Sequence, residues 1–286
     1  MSKKKILIFG GHGFIGRHLF RALKKKYIIY SPLKKKIKLN NKIILKKYIQ
    51  NINPDYIIHL ASRTVSNNFN KNENFFQKRD TYFTIKNVID SINTNCKLII
   101  FFGSIAEYGS CKAPFKENFK PIPKSFYGIY KYKAYRYLLR ISKKKKISYL
   151  WLRPSLIYGK DDNKKRFLGY LIDRIKKNKK IILSSGQQIR DYLYIDDLVK
   201  IILLILKKDR KWNCILNLTS GNYIRLDNIL FKIENILKKK FNIITKKNKQ
   251  NFNLFNSNNK LLKIFPNLKF TSFDRGLRKI LFTSNT

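Results

Sequence analysis

A glycine-rich turn between an apolar run and an amphipathic run is the feature that most limits how this chain can fold. Residues 5–9 predict a buried parallel strand. The turn after this strand has the pattern G-x-x-G-x-x-G, formed by Gly10, Gly13 and Gly16. Glycines at these positions permit a tight turn, a close approach to a pyrophosphate and packing of a helix on the strand. We therefore expect a dinucleotide site here, with the first N–H groups of the next helix facing the phosphates.

Apolar runs alternate with helical periodicity through the first half of the chain. Helices are predicted near residues 14–23, 84–92 and 127–141, and further strands at residues 27–30, 56–60, 98–102 and 149–152. This alternation predicts an α/β fold with a Rossmann-type doubly wound parallel sheet. The basic segment 34–47 is short for a complete helix and strand, so we expect a reduced second crossover.

The rhythm of strands and helices becomes less regular after Gly159. We expect residues 1–159 to form the dinucleotide-binding domain and residues 160–286 to form mostly a smaller, C-terminal substrate-binding cap. Part of the segment around 190–206 is expected to return to the first domain. The cap should cover the carboxyl ends of the strands, because ligands bind there in such sheets.

The charge balance is strongly basic, with 63 Lys and Arg against 16 Asp and Glu and a net charge of +47. Such a surface attracts nucleic acid, anionic lipid or phosphorylated substrates. The lysine runs are scattered along the chain and fall mostly where helices should end, where cations complement the helix dipole. A polynucleotide footprint should cluster, so we expect solvated basic faces and no nucleic-acid partner.

No membrane segment, disulfide or metal site is indicated by the sequence. The longest apolar stretch, residues 201–206, is too short to span a bilayer, and the first residues lack the apolar segment of a secretory signal. Cys96, Cys111 and Cys214 have neither paired spacing nor nearby histidines in metal-ligand register. We expect a soluble, cytoplasmic protein without membrane insertion.

Tyr127 and Lys131 are four residues apart and share a face if their segment is helical. A tyrosine has an ordinary pKa of about 10, so work as a base near neutral pH requires roughly 4 kcal/mol of stabilisation of the phenolate. An ammonium about 5 Å away supplies about 3 kcal/mol of this. The pattern alone is common by chance in a chain so rich in Tyr and Lys, and Tyr132 with Arg136 mimics it.

The end of the second predicted strand bears on the choice of dinucleotide. An NAD site usually has an acidic residue about twenty positions after the first glycine, where it binds the adenine ribose. This chain has Tyr30 and Ser31 there, followed by the lysines 34–36. A hydroxyl and cations could hold a 2′-phosphate, which favours NADP. The alternative is that these lysines are part of the general basic excess.

Six motifs occur in an order that resembles the extended short-chain dehydrogenase/reductases. More narrowly, they resemble the NAD-dependent epimerase/dehydratase family, which acts on nucleoside-diphosphate sugars. The motifs are residues 10–16, 55–61, 103–109, 127–131, 153–159 and 190–197. The resemblance covers nearly the whole chain and is specific for the family, but not for one substrate.

The resemblance implies a role for each of several residues. Ser104 would hydrogen-bond the reacting sugar oxygen, Tyr127 would be its acid or base, and Lys131 would hold the nicotinamide ribose and lower the pKa of Tyr127. Arg190 would bind the phosphates of the sugar nucleotide, and Asp191 would shape its loop. The cofactor-binding residues, including Ser31 from the strand-end argument, would be Gly10, Gly13, Phe14, Ile15, Gly16, Ser31, Leu60, Ala61, Tyr127 and Lys131.

This sequence departs from the family pattern at two positions, and these departures narrow the range of reactions that the resemblance implies. Dehydratases carry an acid one or two residues after the Ser104 equivalent, but Ile105 and Ala106 stand there, so water elimination loses support. Hydride transfer at one sugar carbon remains, as a 4-epimerase or a 4-keto reductase. The resemblance also implies a homodimer formed through the helix that carries Tyr127. The alternative is a non-catalytic dinucleotide-binding scaffold or RNA-associated protein that uses the basic surface.

Overall fold

The computed structural model describes residues 3–63, 69–92, 95–164, 166–183, 186–208, 210–245 and 252–282. The chain divides into two compact units. Unit 1 comprises Met1–Cys111, Glu117–Pro154 and Ile202–Leu216, and unit 2 comprises Lys112–Lys116, Ser155–Ile201 and Asn217–Thr286. The main division thus falls after Pro154 rather than after Gly159, and 202–216 is the later segment that belongs with unit 1. The assignment of the units to dinucleotide and substrate stays a prediction.

The central sheet has six strands in the order β2-β1-β3-β4-β5-β9. With strands and helices numbered along the chain, these strands are β1 (Lys5–Phe9), β2 (Ile28–Tyr30), β3 (Tyr56–His59), β4 (Leu98–Phe102), β5 (Tyr149–Pro154) and β9 (Asn213–Leu218). The pairs β1–β2, β1–β3, β3–β4 and β4–β5 are all parallel. The strand order reverses at β1, because β2 lies on one side of it and β3 on the other. The parallel pairs and this strand order confirm the predicted fold class, a doubly wound parallel sheet. Ligands of such sheets bind at the point where the strand order reverses.

Strands β1, β3 and β4 are apolar along nearly their whole length because both faces of the sheet are covered there. Ile6, Leu7 and Ile8 of β1 are fully buried, as are Ile57 and Ile58 of β3. In a half-exposed sheet, alternate residues would be polar. The continuous apolar runs in the sequence are therefore the signature of a sheet with helices on both sides.

Helices connect the strands of the central sheet. They are α1 (Phe14–Leu23), α2 (Lys42–Ile52), α3 (Lys71–Gln77), a π-helical turn (Lys78–Phe83), α4 (Thr84–Ser91), a 3₁₀ turn (Ile105–Glu107) and α5 (Phe126–Lys145). The expectation of a reduced second crossover is wrong, since α2 is a complete helix between β2 and β3. The Asn41 side chain caps it by accepting the Ile44 N–H at 3.1 Å. Leu45, Ile49 and Ile52 then form its buried stripe.

The remaining elements lie in unit 2, except that the second half of α7, from Ile202 onward, belongs to unit 1. They are β6 (Leu156–Tyr158), α6 (Phe167–Lys176), β7 (Ile181–Leu183), β8 (Ile189–Tyr194), α7 (Ile195–Lys207), β10 (Tyr223–Arg225), α8 (Leu226–Leu237), β11 (Ile243–Thr245), α9 (Asn259–Ile264) and α10 (Phe273–Leu281). They include a three-stranded sheet, β10-β8-β6, and the parallel pair β11-β7. Among the described residues, no helix combines the length and the hydropathy required to cross a membrane.

Candidate active site

The glycine turn after β1 packs so closely that only glycine fits at two of its positions. Gly10 has a positive φ of 84°, and a Cβ there would lie 2.8 Å from the Ala61 nitrogen. A Cβ on Gly16 would lie 2.3 Å from the Gly10 oxygen and 2.5 Å from the Gly11 Cα. The first turn of α1 therefore packs directly on the end of β1, as a dinucleotide-binding turn requires.

The start of α1 is left without a side-chain cap. Gly13 is the N-cap residue, and the first turn contains no acidic side chain. The N–H groups of Phe14 and Ile15 thus begin a helix whose positive end is not neutralised by its own residues. This cradle fits the pyrophosphate of a dinucleotide.

The end of β2 contributes a polar atom to the same turn. The Oγ of Ser31 is buried and has no hydrogen-bond partner among the described residues, and a Cβ on Gly11 would lie 2.1 Å from it. On the other side of β1, the N–H groups of Leu60 and Ala61 both donate to the Phe9 oxygen, at 2.9 and 3.1 Å. An unpartnered hydroxyl beside the glycine turn is suited to a ribose or its phosphate.

Substitution of two glycines in this turn is expected to separate folding from cofactor binding. Gly16→Ala should lower the free energy of unfolding by about 2 kcal/mol, because its methyl group meets immobile backbone. Gly13→Ala should change it by less than about 0.5 kcal/mol, since its Cβ would approach only the Gly10 oxygen, at 3.3 Å. Its affinity for NAD(P) should still fall about ten-fold, because the methyl group would lie where the pyrophosphate is expected. Denaturant unfolding and calorimetric titration check both; unchanged NAD(P) affinity in Gly13→Ala would contradict the assignment.

Ser104 lies in a rigid turn directly after β4. Its Oγ accepts a hydrogen bond from the Ala106 N–H at 3.1 Å, and its own N–H donates to Oε1 of Glu107 at 2.8 Å. The two bonds form a capping box at the start of the 3₁₀ turn. Both the backbone and the hydroxyl of Ser104 are thereby held in place.

Helix α5 brings Tyr127 and Lys131 to one face, one turn apart. Its N-cap is Ser125, whose Oγ accepts the Gly128 N–H at 3.1 Å, so Tyr127 lies in the first turn. The Nζ of Lys131 lies 5.6 Å from the centre of the Tyr127 ring. The predicted helical spacing is observed, and the ammonium lies against the phenol ring.

The Ser104 turn packs against the same stretch of α5. The buried Lys131 donates from Nζ to the Phe102 oxygen at 2.6 Å, two residues before Ser104. A Cβ on Gly128 would lie 2.3 Å from the Ala106 oxygen, two residues after Ser104. The turn is thus fixed to the helix on both sides of the serine, and the structure places the Ser104 turn beside the segment of α5 that carries Tyr127 and Lys131.

Unit 2 contains the other two residues singled out in the sequence. Arg190 lies in β8, where its Nη1 donates to the Ile189 and Phe252 oxygens at 2.9 and 2.8 Å. Asp191 is fully buried and accepts hydrogen bonds from the hydroxyls of Thr219 and Ser220 and from the Gly221 N–H. Asp191 therefore holds the loop after β9, while part of the Arg190 guanidinium is engaged by backbone carbonyls.

Comparison with protein families decides the relationship of this chain to known proteins. The model of the NAD dependent epimerase/dehydratase family matches residues 6–218, which is most of the chain. The chain belongs to this family. Its glycine turn, its Ser104 turn and the start of α5 all lie inside the matched range.

The relatives of this family member carry out several reactions. It is 27% identical over 269 residues to a dTDP-4-dehydro-6-deoxyglucose reductase from Escherichia coli, with 83% of each protein covered. It is 23% identical to a UDP-glucose 4-epimerase from Vibrio cholerae, over 77% of this chain and 71% of that protein. The crystal structure of a UDP-glucuronic acid 4-epimerase from Bacillus cereus, in complex with UDP-glucuronic acid and NAD, matches with a TM-score of 0.85 and 22% identity, over 97% of this chain and 98% of that one. The structural match shows the same fold.

Two buried ionisable residues near Lys131, His59 and Glu107, were not singled out from the sequence. Burial lowers the pKa of the Lys131 ammonium to about 8, although the Glu107 carboxylate opposes this shift. Burial, reinforced by the Lys131 charge, lowers the pKa of His59 to about 3, so His59 is neutral at ordinary pH. Its ring lies between Phe9 and Phe101, with ring centres 5.9 and 5.7 Å away. A signal for Glu107 was present, since the sequence Ser104-x-x-Glu107 is a capping-box pattern.

Proposed function

We propose that this protein is an NAD(P)-dependent enzyme that modifies a nucleoside-diphosphate sugar by hydride transfer at one sugar carbon, as a 4-epimerase or a 4-keto reductase. The observation that carries the proposal is the packing of the Ser104 turn against the part of α5 that holds Tyr127 and Lys131. The reactions of the family relatives support the substrate class, because reductases and epimerases of sugar nucleotides are among them.

In the proposed reaction, Tyr127, Ser104 and Lys131 each have a different role in the transfer of one proton. When bound, NAD(P) supplies the hydride acceptor or donor for the sugar carbon. The Tyr127 phenol gives or takes the proton of the oxygen on that carbon. Ser104 orients the same oxygen: its Oγ already accepts the Ala106 N–H, so its own hydrogen is the one available to the substrate. The Lys131 ammonium stabilises the phenolate of Tyr127 electrostatically.

The residues after Ser104 favour simple carbonyl chemistry over elimination. Loss of water from the sugar needs an acid to protonate the leaving hydroxyl. Ile105 and Ala106 carry no proton to give, and the acid after them, Glu107, is 0% exposed with hydrogen bonds from Ser104, Trp151 and Arg153. Among these residues, none can serve as the acid of a dehydratase.

We propose that the cofactor site prefers NADP. Ser31 supplies an unpartnered hydroxyl at the end of β2, and the exposed lysines 35 and 36 lie a few residues further along the chain. Lys34 already acts on Asp80, whose pKa it helps to lower. The ratio of the dissociation constants of the two dinucleotides, measured by calorimetry, tests this preference.

The proposed assembly is a cytoplasmic homodimer formed through α5, as the family resemblance implies. Sedimentation equilibrium of the purified chain gives its mass in solution. A monomer at micromolar concentration would contradict this proposal and leave the proposed chemistry intact.

The reaction is tested by incubating the purified protein with UDP-, dTDP-, GDP- and CDP-sugars and their 4-keto forms, after mass spectrometry of any dinucleotide that copurifies. A retained oxidised cofactor with formation of a 4-epimer would establish the epimerase. Consumption of NADPH on addition of a 4-keto sugar would establish the reductase. Polynucleotide binding that collapses with added salt, with no turnover of any sugar nucleotide, would favour the scaffold instead.

A further inference from the structure

We propose that Glu107 is a positioning residue of this site: its buried carboxylate fixes the Ser104 turn and supplies the negative charge that balances the buried Lys131 ammonium. The consequence for turnover rests on the proposed function, whereas the effect on the Lys131 charge does not. Glu107 is assigned no contact with the substrate.

The carboxylate of Glu107 gathers three donors from two parts of unit 1. Oε1 accepts the Ser104 N–H at 2.8 Å and the Trp151 Nε1–H at 2.9 Å, and Oε2 accepts the Arg153 Nε–H at 2.9 Å. Trp151 and Arg153 are two residues apart on β5 and so project to the same face. The Glu107 side chain thereby ties the Ser104 turn to the neighbouring strand.

The glycine before Ser104 leaves the space that this carboxylate occupies. A Cβ on Gly103 would lie 2.3 Å from the Glu107 Oε1 and 2.3 Å from the Trp151 Nε1. The carboxylate therefore packs directly over the backbone that leads from β4 into Ser104. With its N–H bonded to Glu107 and its Oγ bonded to the Ala106 N–H, Ser104 keeps one orientation.

Several charged or polar groups act on Lys131 from different elements. They are Glu107 of the 3₁₀ turn, His59 of β3, the Phe102 carbonyl of β4 and Tyr127 of α5 itself. His59 is neutral at ordinary pH, so Glu107 supplies the anionic charge among these groups. Because Glu107 raises the pKa of Lys131 against the effect of burial, loss of its charge should move the Lys131 titration to lower pH.

Glu107 also has its own charged neighbours. Arg153 pairs with it from β5, and the Arg153 guanidinium lies 4.5 Å from the Tyr108 ring and 5.7 Å from the Tyr135 ring. Neutralising Glu107 would leave the buried Arg153 charge uncompensated.

The test measures the Lys131 titration directly, by NMR of the full-length protein labelled at lysine Cε. The Lys131 signal is assigned by its loss in Lys131→Met. Glu107→Gln is expected to lower the apparent pKa of Lys131 by about one unit or more. The matched control, Trp151→Phe, removes a donor to the carboxylate but keeps its charge, and should leave the Lys131 titration in place. The alkaline limb of the pH profile of kcat/KM should move to lower pH, together with the Lys131 pKa, in Glu107→Gln. It should stay in place in Trp151→Phe.

An unchanged Lys131 titration in Glu107→Gln would overturn the electrostatic part of the inference, whatever the protein's activity. Glu107→Asp keeps the charge on a shorter side chain; it should preserve the Lys131 titration while lowering kcat about ten-fold, because it releases the Ser104 N–H. Full kcat in Glu107→Asp would overturn the positioning part. A shifted Lys131 titration in Glu107→Gln, together with no turnover of any sugar nucleotide by the unsubstituted protein, would refute the proposed function and leave the role of Glu107 at Lys131 standing.

Discussion

Replacing Tyr127 with phenylalanine is expected to lower turnover about a thousand-fold, because we propose that its phenol transfers the proton. The fold should persist. The ring that lies 5.6 Å from the Lys131 Nζ is retained in the variant, and Gly128 still packs on the Ala106 oxygen. The measurements are kcat on the active sugar nucleotide and the midpoint of thermal unfolding.

A second tyrosine on α5 supplies the matched control for this experiment. Arg136 lies four residues after Tyr132, which repeats the spacing of a phenol and a cation. Tyr132→Phe should leave kcat unchanged within a factor of about two, because Tyr132 lies about 1.4 turns beyond Tyr127 and faces another direction. Equal losses in the two variants, or full turnover in Tyr127→Phe, would remove the basis for assigning the proton transfer to Tyr127.

Lys131→Met is expected to make the protein more stable and far less active. The pKa of Lys131 is lowered from its ordinary value of 10.5 to about 8 by burial. That shift corresponds to a cost of about 3 kcal/mol for carrying the ammonium at neutral pH. Methionine removes this cost but leaves the Phe102 oxygen without its donor, which costs about 1 kcal/mol. The net gain in the free energy of unfolding should be about 2 kcal/mol at pH 7.

Turnover should fall about a hundred-fold in the same variant. An ammonium about 5 Å from a phenolate contributes about 3 kcal/mol. Loss of that stabilisation corresponds to about two orders of magnitude in rate. The methionine side chain also cannot donate a hydrogen bond to a ribose hydroxyl, so cofactor affinity should decrease as well.

The pH dependence of stability separates this explanation from a simple packing effect. Between pH 8 and pH 10.5 the unfolded state binds more protons at Lys131 than the folded state does, so wild-type stability should rise with pH through this window. The advantage of Lys131→Met should therefore shrink as the pH rises above 8. Lys133→Met, the same substitution at an exposed position of α5, should change stability by less than about 0.5 kcal/mol at any pH. A Lys131→Met protein that is less stable at pH 7 would contradict the account.

The central sheet was predictable because buried parallel strands leave a simple pattern. Residues 5–9 and 98–102 are apolar without alternation, and the glycine turn after the first of these strands predicts a helix packed against it. Helix α2 was not predicted, since its buried stripe of Leu45, Ile49 and Ile52 is interrupted by lysines from the general basic excess. The stripe becomes visible only when the helix is packed on the sheet.

The candidate site was predictable only in part, because its contacts join distant segments of the chain. The spacing of Tyr127 and Lys131 predicts a shared helical face, and the family resemblance added Ser104. Convergence of the three depends on the packing of α5 on the Ser104 turn, which no local pattern indicates. The importance of Glu107 was also hidden, because its partners Trp151 and Arg153 lie 44 and 46 residues further along the chain.

The central claim is that Ser104, Tyr127 and Lys131 meet at the reactive end of a bound NAD(P). The most direct test is a crystal structure of the protein with NAD(P) and a nucleoside-diphosphate sugar that it converts. We predict that one sugar oxygen lies within hydrogen-bond distance of both the Ser104 Oγ and the Tyr127 Oη, with the Lys131 Nζ on the nicotinamide ribose. A nicotinamide bound away from α5, or a sugar oxygen that reaches only one of the two hydroxyls, would contradict the account.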